Sequence, residues 1–283
     1  MKKSAFSLAL AVGLTASAAS LALDFGKVIQ GMGQAPQKQN GQSQGISLIG
    51  ETSQADEIRI GRQVSGNLLG ASPLVKDDNL QRYVNVVGRW VAMQSGRRNL
   101  PWQFGVIDSE DINAFAAPGG FVFVTKGLYK RLNNEAELAG VLAHEIAHVN
   151  EKHHLKLLKQ SQLISVLSQA VSKEISKNGD QAVQNLIGNG AEMLARGLDK
   201  DAEYEADRIG IVFAARAGYD AWGLPTVLQD MATINTKDNR LGLLYKTHPT
   251  AADRLAHLGD AVGDRFDKLP AGKDFADRFY RIR

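Results

Sequence analysis

Val141-Leu142-Ala143-His144-Glu145-Ile146-Ala147-His148-Val149 places two histidines four residues apart, with a glutamate directly after the first. On an α-helix this spacing stacks both imidazoles on one face, roughly 6 Å of rise apart. Two imidazoles so placed can share one tetrahedral Zn²⁺ at roughly 2.0–2.1 Å each. Glu145 can then take a proton from a metal-activated water as a general base. A catalytic zinc normally takes three protein ligands, so one is still to be found. The candidates are His153, His154, Glu203, Glu205, Asp207 and His248.

These candidates differ in setting. His153 and His154 follow the helix end among lysines and are expected at the surface. Glu203 and Asp207 lie four apart and share a helix face, but a solvated acidic first turn favoured by the helix dipole explains that pair as well. His248 sits on a loop, before a final helix that Thr250 can cap and that carries Arg254.

The elements that must position these groups follow from periodicity. Asn134, with Glu137 three residues on, starts the helix that bears His144, and Leu138, Leu142, Ile146 and Val149 give it an apolar stripe. Ala139, Ala143 and Ala147 allow neighbours to pack closely. Upstream, Ser53 or Thr52 can cap one helix, and Asp78–Met93 reads as a second, with Leu80, Tyr83, Val84, Val87, Trp90 and Val91 at helical spacing. Trp102–Ile107 alternates as a strand. Asn113–Gly120 reads as a turn-bearing connection into a strand at Phe121–Thr125. An exposed edge on Phe121, Val122, Phe123 and Val124, led into by Asn113, would accept an extended peptide as an added strand; a plain core strand is an equally good reading. Helical patterns then cover 155–197, a segment from Asp201 to Gly218, a helix after Pro225, and the Thr250 helix with Leu255 and Leu258. The expected fold class is α+β, mainly helical, with a small sheet next to the His-Glu-x-x-His helix.

Composition narrows the setting. The 283 residues are 44% hydrophobic and 22% charged, ordinary for a globular chain. Lys2 and Lys3 followed by an apolar run from Ala5 to Leu14 and small residues read as a secretory signal over 1–22. Without those two lysines, 31 basic residues face 30 acidic ones, a net charge of +1 with no basic stripe, which argues against nucleic acid as a partner. There is no cysteine, so a metal must be held by His, Asp and Glu. No later stretch has the length of a membrane span. The expected organisation is signal 1–22, a Gly/Gln-rich linker 23–50, a domain 51–263 and a tail 264–283, exported to the periplasm.

Four motifs occur in a fixed order: Asn113-Ala114-Phe115-Ala116-Ala117-Pro118-Gly119-Gly120, His144-Glu145-Ile146-Ala147-His148, Glu203-Tyr204-Glu205-Ala206-Asp207-Arg208, and His248-Pro249 with Arg254. Together they resemble the gluzincin metallopeptidases of the BepA, HtpX and CAAX-prenyl-endopeptidase group over about residues 52–262. The resemblance implies a zincin-like domain with one Zn²⁺ per chain, Glu203 as third ligand beside His144 and His148, and Asp207 orienting a ligand histidine. Glu145 is then the general base, and His248 and Arg254 are available to stabilise the oxyanion. His248 could alternatively occupy the fourth zinc position in a resting state. The chain is expected to lack the transmembrane helices of some members and the helical-repeat domain that others carry after the catalytic one. The expected function is hydrolysis of peptide bonds in unfolded or misassembled envelope proteins, with envelope assembly machinery as a possible partner. The competing expectation is a non-catalytic chaperone or assembly factor on the same fold.

Overall fold

Ser53 accepts from the Asp56 N–H at 3.1 Å and so starts helix α1 (Gln54–Ala71). Asp77 likewise accepts from Asn79 and Leu80 to start α2 (Asp78–Ala92). The computed structural model describes residues 52–160, 197–234, 238–242, 244–263, 265 and 272–282. The expected signal, the linker and most of the 155–197 helical pattern lie outside the described residues. Among the described residues, no helix is long and apolar enough to cross a membrane.

Three strands follow α2: β1 (Gln103–Ile107), β2 (Ala114–Ala117) and β3 (Phe121–Thr125), in the order β1-β3-β2. β3 pairs in parallel with β1, Gln103 opposite Phe121, and antiparallel with β2, Ala114 opposite Val124. β2 arises where the sequence reads as a turn. The turn itself is only Pro118-Gly119-Gly120, where Gly119 adopts φ 79° and a Cβ would meet the Ile58 Cα at 2.6 Å.

A short helix, α3 (Lys126–Tyr129), leads to α4 (Glu135–Asn150), which carries the histidine pair. Asn134 caps α4 by accepting from the Glu137 N–H at 2.9 Å, and the Glu137 carboxylate accepts from the Asn133 N–H at 2.7 Å. α4 is buried on every face from Glu135 to Val149, packed between the sheet and helices α2, α5 (Lys200–Arg216) and α6 (Gly223–Thr233). Leu138, Leu142 and Ile146 are fully buried, each worth roughly 1.5–3 kcal/mol of transfer free energy. α5 crosses α4 at Gly210, where a Cβ would lie 2.9 Å from the His144 N. That close approach lets the side chains of α5 reach the imidazoles. α7 (Leu244–Thr247) and α8 (Ala251–Val262), capped by Thr250, complete the domain.

Two expectations change. Trp90, placed by its spacing among the core residues, is 55% exposed and donates from Nε1 to the Ala217 carbonyl at 2.8 Å. Within the expected tail, residues 272–282 pack on the domain: Phe279 is buried, the Ala136 N–H donates to the Asp274 carbonyl, and Arg278 pairs with buried Glu135.

Candidate metal centre

His144 and His148 point their Nε2 atoms at one spot, 3.0 Å apart. Glu203, delivered by α5, completes it: Oε1 lies 3.5 Å from His148 Nε2 and Oε2 lies 3.6 Å from His144 Nε2. All three side chains are buried. Burial holds both imidazoles below their ordinary pKa and therefore neutral, the form that ligates metal. Burial lifts the Glu203 carboxyl well above the carboxylate range, and its Oε2 has no hydrogen-bond partner among the described residues. An orphaned carboxylate oxygen facing two imidazole lone pairs is a costly arrangement that a cation relieves. Ligand atoms at 3.0 to 3.6 Å from each other suit a tetrahedral ion held at about 2.0–2.1 Å, so these residues fit zinc.

His248 comes from the loop after α7 and joins the same group. Its Nε2 is 3.8 Å from Glu203 Oε2 and 3.9 Å from Glu145 Oε1. One ligand atom from each of His144, His148, Glu203 and His248 lies within 4.8 Å of every other. The set thus offers four donors.

Behind these candidate ligands stands a buried charge pair. Asp207 Oδ1 is 2.9 Å from His144 Nδ1, and Arg254 donates from Nε to Asp207 Oδ2 at 2.9 Å. Burial alone would raise the Asp207 pKa, but the Arg254 charge and hydrogen bonds outweigh it and hold the carboxyl well below its usual range. A guanidinium only donates, so the His144 Nδ1 hydrogen goes to Asp207 even though Arg254 Nη2 is 3.2 Å away. Arg254, expected as an oxyanion donor, therefore spends Nε and Nη2 on Asp207. The geometry makes it an anchor.

Glu145 lies beside the ligands, 2% exposed, and burial pushes its carboxyl up to about 8 while Arg254 opposes the shift. A narrow cavity of about 30 Å³, room for a single water, adjoins Glu145, His144 and His248 and is walled by Ala114, Val141 and Leu224.

The expected peptide-binding edge needs correction. Phe121, Val122, Phe123 and Val124 form the central strand, paired on both sides, so β3 offers no free edge. The strand bordering the cavity is β2, through Ala114. Asn113 is fully buried: its Nδ2 lies 3.4 Å from Thr247 Oγ1 and its Oδ1 has no partner among the described residues. The surface reading of His153 also fails. It is 5% exposed, with Nδ1 2.9 Å from His148 Nδ1 and Nε2 3.1 Å from Glu205 Oε2. His154 is half-buried with its ring centroid 5.5 Å from that of His148, and neither it nor Glu205 belongs to the ligand group. The sequence held one clue to the His153 contacts, Glu205 lying between Glu203 and Asp207, but no periodicity points from it to His153.

Residues 78–262 match the profile of Peptidase family M48. The chain is 30% identical over 220 residues to the beta-barrel assembly-enhancing protease of Escherichia coli (strain K12), covering 75% of this chain and 45% of that protein. It is 29% identical over 176 residues to the mitochondrial metalloendopeptidase OMA1 of Schizosaccharomyces pombe, covering 62% of this chain and 51% of that one. It is 28% identical over 172 residues to the metalloprotease YcaL of Escherichia coli (strain K12). The match spans about half the length of the first two relatives.

Proposed function

Because this chain belongs to peptidase family M48, we propose that it is a zinc-dependent endopeptidase acting on unfolded or misassembled proteins of the cell envelope. The observation that carries this reading is Glu203 Oε2, without a hydrogen-bond partner among the described residues and facing inward Nε2 atoms, with the buried Glu145 alongside. His144, His148 and Glu203 would hold the metal, which when bound would supply a Lewis acid for water and for the scissile carbonyl. Asp207 fixes the His144 ring, and Arg254 keeps Asp207 charged. Glu145 accepts the proton of the attacking water and passes it to the leaving amine.

His248 gives this site a means of resting. His248 is close enough to serve as a fourth donor and leave no open position. The chain beside it covers Asn113, and β2 is buried. Release of the 244–248 segment would withdraw His248 from the fourth position and bare the β2 edge for an extended substrate. The Asn113 carbonyl accepts from the Thr125 N–H, so by antiparallel alternation Ala114 and Ala116 turn their backbone groups away from β3.

The signal-like residues 1–22 support export to the periplasm, and the likeness to a beta-barrel assembly-enhancing protease supports envelope proteins as substrates and assembly machinery as a partner. A chaperone on the same fold would have no use for a buried general base beside the ligands. Incubating unfolded casein with the zinc-loaded protein and mapping products by mass spectrometry tests the choice. Internal cleavage that a chelator stops supports the peptidase. Casein kept soluble but whole would favour the chaperone.

A further inference from the structure

Each proposed ligand histidine must keep its hydrogen on Nδ1, so that Nε2 presents a lone pair to the metal. For His144 the acceptor of that hydrogen is Asp207 Oδ1 at 2.9 Å. For His148 the atom facing Nδ1 is another ring nitrogen, His153 Nδ1 at 2.9 Å. The two rings meet edge to face, with planes 71° apart. His153 Nε2 in turn lies 3.1 Å from Glu205 Oε2. A carboxylate oxygen only accepts, so the His153 hydrogen sits on Nε2 and its lone pair on Nδ1. Only one direction of donation satisfies both contacts: His148 gives to His153, and His153 gives to Glu205. That direction leaves the His148 Nε2 lone pair aimed at the metal.

Local backbone geometry builds this arm. α4 ends at Asn150, Lys152 takes a left-handed conformation with φ 59°, and the chain is helical again over 153–160. The kink returns His153 beneath His148, where it is 5% exposed. Glu205 reaches it from α5, the helix that also delivers Glu203 and Asp207.

We propose that His153 and Glu205 are positioning residues that fix the ring orientation and tautomer of His148, a second arm matching the one that Asp207 makes to His144. The proposal rests on the reading of His148 as a ligand. The arms differ in exposure: Asp207 is buried with Arg254, whereas the Glu205 side chain is 44% exposed. His153 therefore carries more of the effect than Glu205.

Zinc affinity, read by competition with a chromophoric chelator on the full chain, tests it. His153→Leu fills the space with an apolar side chain and removes the acceptor; zinc should bind about 10- to 100-fold more weakly. His153→Asn sets an amide oxygen where Nδ1 stood and should recover most of that loss. His153→Gln reaches only the Nε2 position and should not. Glu205→Ala should cost less than His153→Leu. A packing role would rank Leu at least as high as Asn, so equal affinities for those two variants overturn the proposal, as does wild-type affinity in His153→Leu. If His153→Leu does not fold, the order of Asn over Gln decides in the same way. His148→Ala separates the two levels. Loss of zinc there with unchanged binding in His153→Leu sinks only the positioning arm, whereas unchanged binding in His148→Ala sinks the ligand reading itself.

Discussion

Arg254 donates from Nε to Asp207 Oδ2 at 2.9 Å, joining two buried side chains 47 residues apart in the chain. The pair fastens α8 to α5 and, through Asp207 Oδ1, sets the His144 ring. Arg254→Ala would leave the Asp207 charge buried and uncompensated, a cost of about 3–5 kcal/mol. Urea denaturation should show that drop in the midpoint together with weaker zinc binding. Arg254→Lys should restore only part, because an ammonium lacks the planar fork that meets both carboxylate oxygens. An Arg254→Ala midpoint equal to wild type would refute the anchor.

His248 stands 3.8 Å from Glu203 Oε2, near enough to close the metal site. If it does so at rest, His248→Ala should raise casein cleavage severalfold at saturating zinc, at some cost in zinc affinity. An unchanged or lower rate would show that His248 does not block the site and would leave it the oxyanion role.

Ala116 on β2 is expected to present its N–H to an extended substrate. Proline there removes that donor while leaving the β3 pairing intact. Ala116→Pro should bind zinc normally and lose about tenfold in kcat/KM, the equivalent of one hydrogen bond of roughly 1.4 kcal/mol. Wild-type kcat/KM in a folded Ala116→Pro would move the substrate off this edge.

Glu135, at the start of α4, accepts from Tyr83 Oη and Tyr219 Oη at 2.8 Å each and from Arg278 Nε at 3.0 Å. Glu135→Ala leaves those donors without an acceptor and should cost about 3 kcal/mol. Arg278→Ala should cost much less, since that side chain is 52% exposed and its charge is screened by water. Thermal melts of the two variants give the comparison; equal losses would contradict it.

Tyr280 Oη donates to Asp77 Oδ2 at 2.9 Å, so the same C-terminal segment also holds the cap of α2. The Leu80 N–H and Tyr280 hydrogen bonds lower the Asp77 pKa from its ordinary 3.8. With the folded pKa below the unfolded one, the stabilisation is complete above 3.8 and fades as the pH falls through the folded value. Asp77→Ala should therefore melt earlier than wild type at pH 7, with the gap closing in strong acid. A gap independent of pH would rule this out.

The parts of the fold governed by local signals could be read from the sequence. Ser53, Asn134 and Thr250 sit at helix caps, and the apolar stripe of Leu138, Leu142 and Ile146 marks a core helix. What escaped depends on contacts distant in sequence or on one backbone angle. Ala114-Phe115-Ala116-Ala117 has no β-branched residue to mark it as a strand, and the glycines after it suggest a longer turn. β3 is central because β1 pairs with it in parallel, which periodicity does not encode. His153 reads as surface among lysines until the positive φ of Lys152 turns it inward. Likewise the 272–282 segment looks like a charged tail until Arg278 meets Glu135.

If Glu145 is the general base that makes this metal centre a peptidase, one paired measurement shows it: bound zinc and casein cleavage on the same preparation of Glu145→Gln. Glutamine keeps the shape and loses the basic carboxylate, so the variant should retain one zinc per chain while cleavage falls by at least about 10²–10⁴-fold. Wild-type cleavage by zinc-loaded Glu145→Gln would contradict the account.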